Sequence, residues 1–336
     1  MATIYDVAAA SGFSPATVSK AFNSYPGINQ KTFDKIMQTA KEIGYIPNST
    51  ARALTTKKSW LVGMLFSEEL FTGIKHPHFG EIFSSAQIHL GKAGYDVVFI
   101  NNALGGENIS YLEHCRYRGV DGVFMAASAS FGKAVQCIVD SDVKMVSVEF
   151  PYPQKYSVLS ENYNGAMLAM EHLRSLGHRK IACISGPLFS PAAAERYQGY
   201  RDFLSAHAMH FNPGLVVEAT EFTAADGYDA VAKLVSVAKD KFTAIFATYD
   251  DWACAAINYL RENGYKVPED ISVVGFDDLV HAEFAGLTTI RQDREKIGCI
   301  AADVLIAQMQ DMALDFPHDV RVPTSLVVRS SCSGIA

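Results

Sequence analysis

The sequence lacks the features that mark several large classes of protein. No stretch approaches the roughly 18 consecutive apolar residues that a membrane-crossing helix needs. The opening MATIYDVAAA has no basic start followed by an apolar run, so the cytoplasm is the expected compartment. Its six cysteines, Cys115, Cys137, Cys183, Cys254, Cys299 and Cys332, are scattered, with no CxxC pair and no histidine spacing suited to zinc. A disulfide framework is not expected in so large a chain without an export signal. Cys183, inside the apolar run KIACIS, reads as a buried thiol. Asp250-Asp251 and Asp277-Asp278 could hold a metal for phosphoryl transfer, but no phosphate loop accompanies them. Neither a GxSxG nucleophile elbow nor an HExxH helix occurs. Catalysis, a cofactor and a metal are therefore not expected. His76 and His78, flanking a proline in a loop, read as unliganded.

Hydrophobic residues make up 49% and charged residues 19% of 336 positions, which indicates a globular protein larger than one ordinary domain. The net charge of −7 is unevenly spread. Residues 1–58 hold seven Lys/Arg against three acids, or +4, leaving −11 for the rest. A cationic head on an acidic body is the expected organisation.

Residues 3–23, TIYDVAAASGFSPATVSKAFN, read as two short helices joined by a tight turn. The first spans about Ile4 to Ala10, and Gly12 can take the left-handed conformation that ends it. Ser14 is placed to cap the second helix, with Pro15 at its first position, where no amide donor is missed. Val18, Ala21 and Phe22 face inward at i, i+3, i+4. Pro15, Ala16, Thr17, Ser19, Lys20 and Asn23 remain outward. A third helix follows, with Phe33, Ile36, Met37, Ala40 and Ile43 on one face, and Pro47 as its expected stop. The pattern is that of a helix-turn-helix, whose second helix enters the major groove. Lys20 can donate to guanine or phosphate, Thr17 and Ser19 can contact either, and Asn23 can reach a phosphate. A protein-interaction module of three helices is the alternative.

Next comes GYIPNSTARALTTKKSW, where Asn48 can cap a helix of just over one turn. So short a helix is marginal alone in water. It would form when packed against its twin from a second subunit on DNA, and Leu54 then becomes an apolar wedge for a minor-groove base step. Taken together, TIYDVAAASGFSPATVSKAFN and GYIPNSTARAL resemble the lactose-repressor (LacI/GalR) family, in order and at that family's spacing. The expected DNA-contacting set is Thr3, Tyr5, Ser14, Pro15, Ala16, Thr17, Ser19, Lys20, Asn23, Asn48, Ala51 and Leu54.

From Trp60 on, apolar runs alternate with helical patterns: LVGMLF, YDVVFI, GVDGVFM and VKMVSVEF, then KIACISG, FTAIFAT and ISVVGF. Alternation of this kind indicates an α/β fold, and two sets indicate two doubly wound parallel-sheet subdomains, with ligand at the strand C-terminal ends. HPHFGEIFSSAQIHLGKAGYDVVFIN, HLRSLGHRKIACISGPLFSPAAAERYQGY, PEDISVVGFDD, LTTIRQD and VPTSLVVR extend the resemblance over almost the whole chain. It implies a periplasmic-binding-protein-like core crossed three times by the chain. The expected divisions are a head over 1–46, a hinge and linker over 47–59, and an effector-binding and dimerisation core over 60–336. Within the core, an N-subdomain covers about 60–161 and 292–323, and a C-subdomain about 162–291 and 324–336.

Glu149, Asp250 and Asp277 fall where strands end and could accept hydrogen bonds from paired sugar hydroxyls. By the resemblance, Arg196 is aimed at ligand, Phe79 and Phe222 are aromatic walls, and Ser190 is a ligand-facing polar group. Each has an ordinary alternative, since strand-end carboxylates also cap helices and phenylalanines usually fill cores. Tyr249, expected to stack on or hydrogen-bond the ligand or to narrow its pocket, stands where the family usually has asparagine, and Glu161-Asn162 where it usually has Asp-Asn. Both departures leave the ligand open. The expected protein is a sequence-specific, homodimeric repressor of double-stranded operator DNA, gated by a small carbohydrate. A nucleobase or sugar-phosphate effector is the runner-up, and a free solute-binding protein the distant rival. Leu54→Ala is expected to weaken operator binding by roughly 1–3 kcal/mol, through loss of the wedge at the central base step. A gel-shift titration checks this, and unaltered operator affinity would remove the intercalation reading.

Overall fold

The computed structural model describes every residue except 1, 24–26, 48–52, 54–57, 68–74, 128–131, 221, 239–241 and 336. Asn48, Ala51 and Leu54 lie outside the described residues. The chain divides into two compact units, residues 1–61 with 119–121, and the remainder.

The head holds α1 (Ile4–Ser11), α2 (Pro15–Phe22) and α3 (Gln30–Glu42). Thr3 and Asp6 form a reciprocal capping box at the start of α1. Gly12 ends that helix at φ +78, its amide donating to the Ala8 carbonyl. Ser14 caps α2 through the Thr17 amide at 3.1 Å, with Pro15 opening the helix. Val7, Ala8, Val18, Ala21, Ile36 and Ala40 form the small core, with Phe22 edge-on to Tyr45. Two expectations about α3 fail. Met37 and Ile43 are exposed rather than inward, because Met37 is a full 100° off the Ile36 line and Ile43 already lies past the helix end. The helix also stops before Pro47: Gly44 turns left-handed at φ +68, and the Tyr45 amide closes on the Ala40 carbonyl.

The core contains two six-stranded sheets. The first is built from β1 (Leu61–Ser67), α4 (Pro77–Lys92), β2 (Asp96–Ile100), a small hairpin of β3 (Ala103–Leu104) and β4 (Glu107–Asn108), α5 (Tyr111–Arg118), β5 (Gly122–Ala127), α6 (Gly132–Val139), β6 (Lys144–Val148) and β7 (Tyr156–Ser160). The chain then enters the second, through α7 (Asn162–Ser175), β8 (Ile181–Ser185), α8 (Pro191–Ala206), β9 (Val216–Glu218), α9 (Ala224–Ala238), β10 (Ala244–Ala247), α10 (Asp250–Glu262), β11 (Ser272–Asp277), α11 (Val280–Phe284) and β12 (Thr288–Gln292). It returns to the first with α12 (Arg294–Met309), packed on α4, and β13 (Asp319–Val322), parallel to β7. Finally β14 (Thr324–Val327) adds an antiparallel edge to β12.

Both sheets share one winding. The strand orders run β13-β7-β6-β5-β1-β2 and β14-β12-β11-β10-β8-β9, so each subdomain reverses direction beside its first strand. Open sheets of this kind hold ligands at the C-terminal ends of the strands flanking that switch. The continuous apolar runs follow from burial on two faces. In β8, Ile181 and Cys183 pack with Phe246 and Phe276, while Ala182 and Ile184 pack with Ile245, Val273 and Trp252. Burial pushes the Cys183 thiol well above its ordinary pKa, as expected for an inert core thiol.

Gly298 sets the approach of α12 to α4. A Cβ there would fall on Ser85 Oγ and lie 2.5 Å from the Ile82 carbonyl oxygen. Gly298→Ala must therefore push the two helices apart. A loss of roughly 1–3 kcal/mol, the usual cost of overpacking, is expected in urea unfolding; an unchanged midpoint would show that this contact yields freely.

Candidate functional site

The helix-turn-helix presents its polar residues unevenly. Tyr5, Pro15, Ala16 and Lys20 are exposed, without side-chain hydrogen bonds to other described residues. Thr3 is exposed but occupied, its hydroxyl and amide both bound to Asp6. Ser14 and Thr17 share a hydroxyl contact of 2.9 Å, and Asn23 donates to the Ser19 carbonyl at 2.9 Å. Of the expected set, Tyr5, Pro15, Ala16 and Lys20 are thus the exposed side chains that no other described residue engages.

In the core, a cavity opens where strand C-termini of both subdomains converge, with about 650 Å³ of empty space, some of it open to solvent. The first subdomain supplies His76, His78 and Phe79 from the start of α4, and Glu149 just after β6. The second supplies Gly186 after β8, Ser190, Ala193 and Arg196 from the start of α8, and Phe222 before α9. Thr248, Tyr249 and Trp252 follow β10, and Asp277 and Gln292 end β11 and β12. Gly186 and Thr248 flank the β8/β10 switch of the second sheet.

Arg196 is buried and fully engaged on one side. Its Nε donates to Asn162 Oδ1 at 2.8 Å, and its Nη1 to the Thr248 carbonyl at 2.8 Å and Asp277 Oδ1 at 3.1 Å. Its guanidinium lies 3.7 Å from the centre of the Phe276 ring. No hydrogen bond from Nη2 is found among the described residues, and Arg196 lines the cavity. Ser190 begins α8 without using its hydroxyl as a cap, leaving a second polar group there.

Glu149 and Asp277 both take positive φ, +64 and +117. Such values are uncommon outside glycine and put backbone strain at the cavity floor. Arg294 donates to the carbonyls of Asp277 and Asp278, bracing the second of these turns. Glu149 Oε1 contacts Ser160 Oγ at 2.9 Å, and Gln292 bridges Ser160 and Asp277 Oδ1 with contacts of 2.5 Å on each side. Burial raises the Glu149 pKa, but His78 3.8 Å away, Arg196 and the Ser160 bond outweigh it, so the net shift is downward. Burial raises Asp277 in spite of Arg196.

The aromatic walls are two clusters. Phe222 stacks on Trp252 with centroids 5.5 Å apart and 18° between planes, and Tyr249 stands edge-on to both. Phe79 packs among Phe66, His76 and His78. Burial pushes the Tyr249 hydroxyl far up in pKa, with Asp251, to which it is hydrogen-bonded, adding to the rise.

Seven of the eight residues expected around an effector line this cavity. Asp250 does not. It is fully buried, accepting from the Leu279 amide at 2.9 Å and Thr289 Oγ1 at 2.6 Å, so its oxygens tie α10 to the start of α11 and to β12. His76, His78, Thr248, Trp252 and Gln292 line the cavity without having been expected there. The two histidines sat in a loop with no periodicity to place them. Trp252 was findable, three residues beyond Tyr249 and hence on the same face of α10.

A DNA-reading head joined to a two-subdomain core with a cavity at its strand ends defines the class of transcription regulators with a periplasmic-binding-protein-like sensor. Residues 3–48 match the model of bacterial regulatory proteins of the lacI family, and residues 170–332 that of a periplasmic binding protein-like domain. The HTH-type transcriptional regulator DegA of Bacillus subtilis is 31% identical over 304 residues, covering 88% of each chain. The HTH-type transcriptional repressor PurR of Haemophilus influenzae is 29% identical over the whole of both chains. Among solved structures, a transcriptional regulator CelR–cellobiose complex is 30% identical with a TM-score of 0.71, covering 98% of this chain and 100% of that one. A lac repressor dimer bound to operator and the anti-inducer ONPF is 26% identical with a TM-score of 0.78, covering 99% of both chains. The chain belongs to the LacI family and is a DNA-binding transcriptional repressor of that family. These relatives are regulators, not enzymes. Among the described residues, no helix is long and apolar enough to cross a membrane.

Arg196→Lys tests how far the cavity depends on the guanidinium fork. An ammonium cannot serve Asn162, Thr248 and Asp277 while stacking on Phe276. Urea unfolding should show a loss of about 1–3 kcal/mol, the range for charge-assisted hydrogen bonds lost in a buried site. Equal stability would mean that the fork is dispensable.

Proposed function

We propose that the chain represses transcription as a homodimer on double-stranded operator DNA and that its cavity takes a small neutral carbohydrate. The observation carrying the effector reading is the lining itself. Two carboxyl groups and Arg196 Nη2 offer acceptors and a donor for paired hydroxyls, beside the flat face of the stacked Phe222–Trp252 pair. The carboxyl groups disfavour a phosphorylated ligand by like charge. A structural relative holding cellobiose supports the same chemistry. The planar Phe222–Trp252 stack also suits a nucleobase, which is the second reading.

In this reading the two heads take two half-sites of a near-palindromic operator, and the hinge residues around Leu54 occupy its central minor groove. The effector biases the arrangement of the subdomains by its differential affinity, a coupling typically worth about 1–3 kcal/mol. Tyr5, Pro15, Ala16 and Lys20 are the side chains free to read bases or phosphates.

Thermal-shift screening of the full chain against monosaccharides, disaccharides and nucleobases identifies the effector class, and calorimetry on single variants tests the site. Asp277→Ala and Arg196→Ala should each weaken binding of the hit at least about tenfold, equivalent to about 1.4 kcal/mol. Wild-type affinity in both variants overturns this placement of the pocket, and a nucleobase hit replaces the carbohydrate reading with the second one.

A further inference from the structure

Four side chains cross the floor of the cavity as one chain of contacts. Glu149 Oε1 meets Ser160 Oγ at 2.9 Å, Ser160 Oγ meets the Gln292 amide at 2.5 Å, and the other end of that amide meets Asp277 Oδ1 at 2.5 Å. All four residues are buried. A serine hydroxyl has one proton to donate, and a glutamine amide has a donor end and an acceptor end. Those limits fix how many protons the chain must hold.

With the Gln292 NH2 toward Asp277, its carbonyl oxygen faces Ser160, and Ser160 must donate to it. Ser160 then has no proton for Glu149, so Glu149 must itself be the donor. With the amide turned over, the NH2 donates to Ser160 and Ser160 donates to an ionised Glu149. The Gln292 oxygen now faces Asp277, which must carry the proton. If both carboxyl groups were ionised, one oxygen–oxygen contact would be left without a hydrogen.

We propose that Glu149 and Asp277 share one proton through Ser160 and Gln292, so that the cavity presents one carboxylic acid and one carboxylate. Ser160 and Gln292 are specificity-determining residues on this account, because they link the polarity of one carboxyl group to that of the other. A hydroxyl group that donates to one of the pair makes the other the acid, which then donates in turn. The matching ligand offers a donor at one end and an acceptor at the other, and the pair contributes a single negative charge.

The surroundings set the two groups apart. Asp277 faces Arg196 and Arg294, with His78, Asp250 and Asp251 in range, and burial still raises it. Glu149 faces His78, Arg196 and Arg321 and is held below its ordinary value. Two interacting carboxyl groups of this kind titrate as a pair rather than singly.

Infrared spectroscopy of the full chain at neutral pH reads the shared proton directly, as the carbonyl stretch of a protonated carboxyl group. The wild type minus Glu149→Gln difference spectrum should show the loss of one acid band per chain, since the substituted amide donates to Ser160 and frees Asp277 to ionise. Asp277→Asn should show the same loss, because its new amide donates to Gln292 and leaves Glu149 ionised. Ser160→Ala cuts the chain while keeping both carboxyl groups, and it too should lose the band, which keeps the test open if an isostere fails to fold. Loss in only one isosteric variant would mean that this residue is protonated by itself, and the sharing is refuted. A band that survives in all three belongs to another buried carboxyl group, Asp250 first, and equally overturns the proposal.

Discussion

The need to satisfy one buried cation organises the sensing half of the core. Arg196 reaches inward from α8 and is held by Asn162 at the start of α7, the carbonyl of Thr248 beyond β10, and the carboxyl group of Asp277 at the end of β11. The face of Phe276 closes the fourth side. A guanidinium taken out of water is costly unless its donors are met, so these partners are constrained together. Three elements distant in sequence are thereby brought to one point. The same constraint leaves Nη2 as the donor without a hydrogen-bond partner among the described residues.

Around that point the carboxyl groups have different tasks although their sequence settings look alike. Asp250 and Asp277 each follow an apolar strand and each precede a second aspartate. Asp277 turns into the cavity at φ +117, whereas Asp250 turns under it. Room for Asp250 comes from Gly275, where a Cβ would fall on Asp250 Oδ1. Asp278, beside the cavity residue, is held low in pKa by Arg291 and Arg329 against the opposing effect of burial. Its oxygens bind Arg291 Nε at 2.6 Å and Arg329 Nη2 at 2.7 Å, joining the ends of β11, β12 and the C-terminal segment.

The parts legible in the sequence were those governed by local chemistry. Apolar runs marked β1, β5, β6, β8, β10 and β11, which are largely buried, and the edge strand β2, which is not, and the capping pattern marked α1 and α2. The strands that no such run marked are β7 and β12, interior strands of five residues each, and the shorter β3, β4, β9, β13 and β14. Their pairing is decided by neighbours rather than by their own pattern. Aromatic and charged lining residues at strand ends could be read, but Gln292 and the histidines could not. What gives Gln292 its place is the pair Ser160 and Asp277, 132 and 15 positions away in the chain, a proximity only the folded sheets create.

The three crossings between the subdomains fall at Ser160 to Asn162, Gln292 to Arg294, and Val322 to Thr324. β7 and β13 are hydrogen-bonded neighbours, as are β12 and β14, so the straps leave each sheet side by side along one edge. A single strap would let one lobe swivel about any bond. Three abreast act as a wide leaf hinge: shear and free rotation are resisted, while a rocking motion about the line joining the straps costs least. The lobes are thereby confined to a single angular coordinate, and whatever fills the space between them is registered as one number, the opening angle.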